Sequence, residues 1–432
     1  MRARWLHAGR GRGRERGGPG LNAEIIGVGT ELLLGQIANT NAQHISAALA
    51  SIGVDVYFHA AVGDNLDRVV AALRTATGRS DVVVITGGLG PTPDDLTRAA
   101  VAAYLERPLR RDERLAQMVA AVFASMGRDM PEDNLRQADL PLGALPIDPE
   151  GTAPGFHVTD DGGRLLVALP GVPWEMKAML AKAVLPLLQS TTGAATIVSR
   201  QVLVTGLGES ATHQRIADIV AAQSNPSIAY LAGGGLVRVR ISAKATDESS
   251  ARALIAPVEE AIRTRLGSAA VPGEGSTLAQ AVGDMLSARG ITVGVAESLT
   301  GGLIGAAFSA TAGSSAYFRG SLVAYARDAK SRVAGVEEAV LEGPGAVSEA
   351  AARALAEAAA RIFEADLGIA ATGVAGPAEQ EGKGPGTIYV GATFRGRTEA
   401  RLVRGYGDRD NVRTFAVSAA LDLGRRMLDP AG

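Results

Sequence analysis

The residues best equipped for chemistry fall into two groups far apart in the chain. The later group holds Ser298 and Thr300 in Ala296-Glu-Ser-Leu-Thr-Gly-Gly, then Ser315 in Gly313-Ser-Ser, then Tyr325 and Lys330. The spacing admits two readings. In one, Ser315 caps a turn, Tyr325 ends a strand and Lys330 is a solvated helix residue. In the other, Ser315 is a nucleophile activated without histidine. The Lys330 ammonium stabilises a tyrosinate at Tyr325, and that phenolate removes the serine proton. A Ser–His–Asp triad is excluded in this region, because His7, His44, His59, His157 and His213 all precede it. The chain has no cysteine, which removes thiol nucleophiles, disulfides, thiolate zinc sites and iron–sulfur clusters together.

The earlier group is a set of three loops. They are Gly29-Thr-Glu-Leu-Leu-Leu-Gly followed by Asn39-Thr-Asn, then Val62-Gly-Asp-Asn, then Gly87-Gly-Leu-Gly-Pro-Thr-Pro-Asp-Asp-Leu-Thr. Glycines at a strand-to-helix turn let backbone N–H groups approach phosphate oxygens, and the helix start adds a favourable partial charge. Asp94 and Asp95 have a plain explanation as helix caps, worth ~1 kcal/mol. With Asp64 and Glu31 on neighbouring loops, they also suit a hydrated divalent cation bridging protein and phosphate. Convergence of three such loops favours phosphate binding.

The elements that must position these groups alternate in type. Ala23–Val28, Asp55–Val62 and Asp81–Thr86 read as strands, and Asn41–Ile52 and Asn65–Thr77 have helical spacing. Strands separated by helices imply right-handed βαβ units and a parallel, doubly wound sheet, with ligands beyond the carboxyl ends of its strands. After the proline-rich stretch Leu140–Pro154 the chain returns with Arg164–Leu169 and a helix to about Gln189. Thr191–Ala195 and Val271-Pro-Gly-Glu-Gly-Ser read as linkers. Between them lies a strand–helix–strand–strand–helix module without obvious chemistry, expected to be a spacer or dimerisation unit. The final segment again alternates α and β, from a strand at Ile291–Ala296 to a helix at Asn411–Leu428.

Composition sets the outer limits. Of 432 residues, 47% are hydrophobic and 20% charged, enough for several buried cores. The net charge of −2 hides a split: residues 1–20 carry +5 through six arginines against Glu15, and the rest carries −7. A body of that charge is a poor candidate for broad nucleic-acid binding. The Gly/Arg tail has no apolar core of a signal peptide. It reads as a disordered, dispensable extension, with folded-looking sequence beginning at Ala23. No stretch approaches ~18 apolar residues, so no membrane span is expected.

The first set of loops, with Leu169-Pro-Gly-Val-Pro-Trp-Glu-Met, resembles the N-terminal domain of the CinA family, which is related to molybdopterin-binding proteins. The resemblance covers roughly 23–185. It implies metal-dependent hydrolysis of ADP-ribose to AMP and ribose 5-phosphate. Asp95 then occupies the pterin-fold aspartate position, with Asp94 as its acidic neighbour. Asp94, Asp95 and Asp64 are the expected ligands of Mg2+ or a similar divalent ion acting as Lewis acid. Glu31, Asn41, Gly87, Gly88, Gly90 and Thr92 are expected to line the substrate cleft.

Ala296-Glu-Ser-Leu-Thr-Gly-Gly-Leu-Ile, Ala312-Gly-Ser-Ser-Ala-Tyr-Phe, Gly345-Ala-Val-Ser, Ala371-Thr-Gly-Val-Ala-Gly-Pro and Gly407-Asp-Arg resemble the CinA C-terminal domain. That domain also stands alone as bacterial nicotinamide mononucleotide amidohydrolase, forming nicotinate mononucleotide and ammonia without a cofactor. By matching position, Ser315 is the expected nucleophile, with Tyr325 and Lys330 as its activating pair. Ser298, Thr300, Gly301 and Gly302 are expected to hold substrate or oxyanion. Thr372 and Gly373 are expected at the amide or ribose, and Arg409 or Arg413 at the 5′-phosphate. One departure stands out: Leu299 occupies a position that is commonly cysteine in the standalone enzymes.

The expected fold class is α/β, with one small α+β domain in the middle. A doubly wound molybdopterin-binding-like domain (21–190) follows the tail (1–20), then a small α+β domain (196–268) and an α/β amidohydrolase domain (274–432). The expected partners are small-molecule nucleotides and a second copy of the chain, in the cytoplasm, with neither membrane nor nucleic acid. Two alternatives stay open: a degenerate scaffold in competence or DNA damage, and a first domain that binds a molybdopterin precursor.

Overall fold

The computed structural model describes residues 21–189, 196–273 and 277–429. The basic tail, the expected linker 191–195 and part of the second linker lie outside the described residues. The chain divides into two compact units, Met1–Val198 with Lys244–Ala251 and Ser199–Ala243 with Arg252–Gly432.

The first unit is built on β1 (Asn22–Val28), β2 (Asp55–Val62), β3 (Val82–Thr86), β4 (Leu145–Ile147), β5 (Gly155–Thr159) and β6 (Leu165–Leu169), in the order β2-β1-β3-β6-β5-β4. Alternation along the strands explains why helices cover both faces. Ile25, Val84 and Val167 pack with Ile45, Leu49 and Met176 on one side. Ile26, Val83, Ile85 and Leu166 pack with Leu73, Val101 and Leu115 on the other. The four strands β2, β1, β3 and β6 are parallel as expected. The sheet is nevertheless mixed, because β5 and β4 extend it antiparallel from β6. Leu145–Ile147 lies inside the proline-rich stretch Leu140–Pro154, and Gly155–Thr159 follows it directly. A three-residue edge strand containing Pro146 has too short a period-2 pattern to be read from sequence.

The second unit holds most of the small middle module and the last domain. In the module, β7 (Thr196–Thr205), β8 (Ser227–Gly233) and β9 (Leu236–Ala245) order as β8-β9-β7, with helices Glu209–Ala221 and Glu248–Leu266. The last domain has β10 (Val293–Glu297), β11 (Phe318–Val323), β12 (Leu367–Gly373), β13 (Thr387–Phe394) and β14 (Arg397–Arg404), in the order β11-β10-β12-β13-β14. The first three are parallel, and β13 and β14 continue antiparallel. Because β11 and β12 lie on opposite sides of β10, the chain reverses its winding there. The carboxyl end of β10 is a topological switch point, the place in such sheets where a crevice opens.

Candidate active sites

The switch point gathers Ser298, Thr300, Tyr325 and Lys330 of the later residue group. β10 ends at Glu297, and the next residue, Ser298, donates its backbone N–H to Ala371 O at 2.9 Å, which fastens the turn to β12. Glu297 is fully buried. Its carboxylate accepts N–H bonds from Gly302 (2.9 Å), Ile304 (3.0 Å) and Gly305 (2.9 Å), and an O–H bond from Ser321 (2.7 Å). These are the orphan donors at the start of helix Leu303–Ser309. An internal carboxylate therefore takes the place expected for substrate, and Gly302 is a structural donor. Gly301 N–H is also spent, on Ser298 O at 3.0 Å.

Lys330 is only 2% exposed, in the short helix Arg327–Arg332 after β11. The reading of a solvated lysine does not hold. Its Nζ lies 3.0 Å from Ser298 Oγ, 2.9 Å from Ala324 O and 3.0 Å from Tyr325 O. Burial pushes the ammonium down to about 8, opposed by the Glu381 carboxylate. A neutral amine has two N–H donors and one lone pair. The two carbonyls can take the donors, leaving the lone pair for the Ser298 hydroxyl.

The expected grouping of Ser315 with Lys330 is corrected by the topology. Ser315 is exposed, in the 3-10 turn Ser314–Ala316 that leads into β11. Phe318 opens β11 beside Val293, the first residue of β10. Ser315 is therefore at the amino edge of the sheet and Ser298 at the carboxyl edge. A five-residue strand separates them, roughly 16 Å. The Tyr325 phenol does not meet the ammonium either. Lys330 binds the Tyr325 carbonyl, whereas the phenol oxygen accepts from Arg409 at 2.9 Å.

Arg409 also donates to Gly376 O at 2.6 Å, so it ties the rim of the crevice together. Arg413 donates to Leu299 O at 3.2 Å and Thr300 O at 3.1 Å. A trans peptide points its C=O and the next N–H in opposite directions. Arg413 therefore turns the Thr300 N–H away from helix Arg409–Leu428. Among the described residues, the N–H groups of Leu299 and Thr300 have no acceptor, and the buried Thr300 hydroxyl has no partner. Thr372 is buried, and its hydroxyl donates to Ala346 O at 2.7 Å. Gly373 is needed for packing, since a Cβ there would lie 2.5 Å from Thr387 O. Leu299, the departure from the family pattern, is 4% exposed within the domain core.

In the first unit the three expected loops do meet at the carboxyl edge. Gly29 N–H bonds to Val62 O at 2.9 Å, and Gly87 N–H to Leu169 O at 3.1 Å. Asn41 reaches across from helix Thr40–Ser51, donating to Thr86 Oγ1 (2.9 Å) and Gly171 O (2.8 Å), while its own carbonyl oxygen stays buried without a partner. The acidic residues have separate tasks. Asp64 accepts from Thr30 N–H at 2.9 Å and its hydroxyl at 2.8 Å. Asp95 closes its own loop, accepting from Gly90 N–H (2.7 Å), Thr92 N–H (2.8 Å) and the Thr92 hydroxyl (2.6 Å). Gly90 and Thr92 thus give their donors to Asp95, not to a phosphate. Gly87 has φ +102° and a Cβ there would lie 2.1 Å from Val28 O, and at Gly88 one would lie 2.5 Å from Thr97 Oγ1. Both glycines are required by packing. Glu31 folds back over Gly29. Asp94 alone is exposed, with no hydrogen bond among the described residues.

No group of three or more carboxylates or imidazoles able to hold a metal exists among the described residues. Asp64, Asp94 and Asp95 therefore do not form the expected three-carboxylate site. Residues that sequence reasoning gave no role are prominent instead. Buried Arg98 donates to the carbonyls of Leu89 and Gly90 from beneath the loop, and burial lowers its guanidinium to about 10. Glu297 was visible only as an acid ending an apolar strand before a glycine pair.

Three family models match successive segments: "Probable molybdopterin binding domain" over 24–190, "Damage-inducible protein CinA KH domain" over 199–270 and "CinA C-terminal domain" over 275–428. A CinA-like protein of Frankia casuarinae is 45% identical over 418 residues, covering 94% of this chain and 96% of its own. A crystal structure of CinA from Thermoplasma acidophilum is 41% identical and covers 37% of this chain and 94% of its own, with TM-score 0.35. One of competence damage-inducible protein A from Klebsiella pneumoniae is 35% identical and covers 35% and 94%, with TM-score 0.34. Among the described residues no helix is long and apolar enough to cross a membrane.

Proposed function

The chain belongs to the CinA family, and from that premise we propose that its last domain hydrolyses the amide of nicotinamide mononucleotide through a Ser298–Lys330 dyad. The observation that carries this reading is the 3.0 Å contact between Lys330 Nζ and Ser298 Oγ in a buried setting that lowers the amine to about 8. Neutral Lys330 takes the hydroxyl proton as Ser298 Oγ attacks the amide carbon. The tetrahedral oxyanion is met by the unspent N–H groups of Leu299 and Thr300, the second of them turned away from helix Arg409–Leu428 by Arg413. Lys330 returns the proton to the departing nitrogen, releasing ammonia. Water then attacks the acyl-serine with Lys330 again as base, freeing nicotinate mononucleotide. On the rim, Tyr325 is 59% exposed. Together with Arg409 it offers an aromatic face and a guanidinium, suited to a pyridine ring and a 5′-phosphate. Ammonia release from nicotinamide mononucleotide by the full chain tests this, and absence of turnover favours the scaffold alternative.

For the first unit, the meeting of three loops with Asn41 at the carboxyl edge supports binding of a phosphate-bearing small molecule, with ADP-ribose hydrolysis as its activity. Its protein donors do not fit a resident metal. A divalent ion would have to arrive on the substrate pyrophosphate, as Mg2+ commonly does. ADP-ribose turnover measured with and without chelator tests this half. Binding without turnover favours the molybdopterin-precursor alternative.

A further inference from the structure

We propose that the second unit holds a further ligand site, separate from Ser298, for a nucleoside monophosphate or a molecule of the same make-up. The site is a cavity of about 590 Å³, within the range of small-molecule pockets. Its walls are the turn after β7, the tip of the β8–β9 hairpin, the outer strands β13 and β14, and helix Arg409–Leu428. Packing fixes these walls. Gly235 at the hairpin tip has φ +79°, and a Cβ there would lie 2.8 Å from the Phe415 ring. Only a glycine allows the hairpin to lie that close to the helix.

Three properties of the lining define the ligand. The first is a cationic rim. Arg404 has no carboxylate partner among the described residues, and its one hydrogen bond goes to Thr387 Oγ1 at 2.5 Å. Its remaining donors can take an anion in two-point fashion. Arg426 also lines the cavity, and its partner Asp422 is shared with buried Arg425. The second is helix Glu209–Ala221, which starts from Gly208 in the wall with no side-chain cap. Its first-turn N–H groups add to the anion preference that the arginines establish. The third is an apolar and aromatic side, with Leu207, Val403 and Leu423 inside. Tyr406, 78% exposed, lies with its ring centre 6.1 Å from that of Phe415.

A phosphate alone would leave the aromatic side unused, and an apolar ligand would leave Arg404 unused. Glu209 and Asp422 in the same lining oppose a heavily charged polyphosphate. One phosphate ester joined to one flat ring satisfies all of these features.

Calorimetric titration of the full chain with AMP, inorganic phosphate and adenosine tests the site. AMP is expected to bind at least about tenfold tighter than either fragment. Arg404→Ala, a substitution of an exposed residue, is expected to weaken AMP about tenfold or more, the loss of one charge-assisted contact. Ala419→Trp, which fills the cavity, is expected to remove this binding, with the thermal midpoint reporting whether the variant folds. AMP binding no tighter than phosphate, or unchanged in Arg404→Ala, overturns the proposal. None of these readouts requires amidase turnover, so failure here and failure of the Ser298–Lys330 reading are distinguishable.

Discussion

The Gly87 loop and the Ser298 turn are the same device used to different ends. Each leaves the carboxyl end of a central parallel strand, passes through paired glycines and enters a helix. Each also contains an acid that consumes nearby N–H donors: Asp95 in the first, Glu297 in the second. The glycine-rich signature therefore reports a tight turn locked by an internal carboxylate in both places and does not separate a phosphate cradle from a catalytic turn. What separates them is the group brought alongside. Arg98 lies beneath the Gly87 loop and spends its guanidinium on two carbonyls. Lys330 lies against the Ser298 turn and keeps a nitrogen that can exchange a proton with Ser298 Oγ. An arginine stays charged even when burial lowers it to about 10. A lysine lowered to about 8 can be neutral near working pH.

The sharpest test of that contrast replaces the dyad. Ser298→Ala and Lys330→Ala are each expected to lower amidase kcat by at least about 10³-fold, whereas Ser315→Ala stays within about twofold of wild type. Loss of turnover in Ser315→Ala with activity retained in Ser298→Ala would reverse the assignment. The pH profile comes next. Protonated Lys330 cannot accept the serine proton, so kcat/KM should rise with pH and level off above about 8. Below that value it should fall about tenfold per pH unit. A flat profile between pH 6 and about 9 would mean that Lys330 is not the base.

The two loop acids give smaller effects, read in stability. Glu297→Ala strands three backbone donors in a buried turn and should cost roughly 2–4 kcal/mol in denaturant unfolding. Asp95→Ala opens a more exposed loop and should cost roughly 1–2 kcal/mol. Equal costs would erase the distinction between a buried and a partly solvated loop lock. The least effect on stability is expected at Asp94. Asp94→Asn should leave the unfolding midpoint within ~0.5 kcal/mol of wild type, while ADP-ribose turnover falls if that carboxylate acts on the ligand.

Much of the frame was legible. The continuous apolar run at Val82–Thr86, buried throughout, and helical spacing at Asn65–Thr77 placed their elements, because long-range packing there agrees with local pattern. The short antiparallel additions Leu145–Ile147 and Gly155–Thr159 were not legible, since their pairing with Leu165–Leu169 is non-local. The candidate site was legible as a set of residues but not as a set of contacts. Ser298, Tyr325, Lys330, Arg409 and Arg413 all belong to one crevice, yet Arg413 holds a backbone turn and Tyr325 pairs with Arg409.

The sequence by itself determined the order of α/β domains, the exclusion of cysteine and local histidine chemistry, and the loops where polar residues leave strands. Those follow from residue type and periodicity, which need no knowledge of what lies opposite. Only the tertiary structure decided which serine faces Lys330. Parallel β10 and β11 place the turn before β11 and the turn after β10 at opposite edges, so nearness in sequence to Lys330 is no guide. Burial decided the rest, because an ammonium desolvated at the switch point loses its proton more readily than one in water.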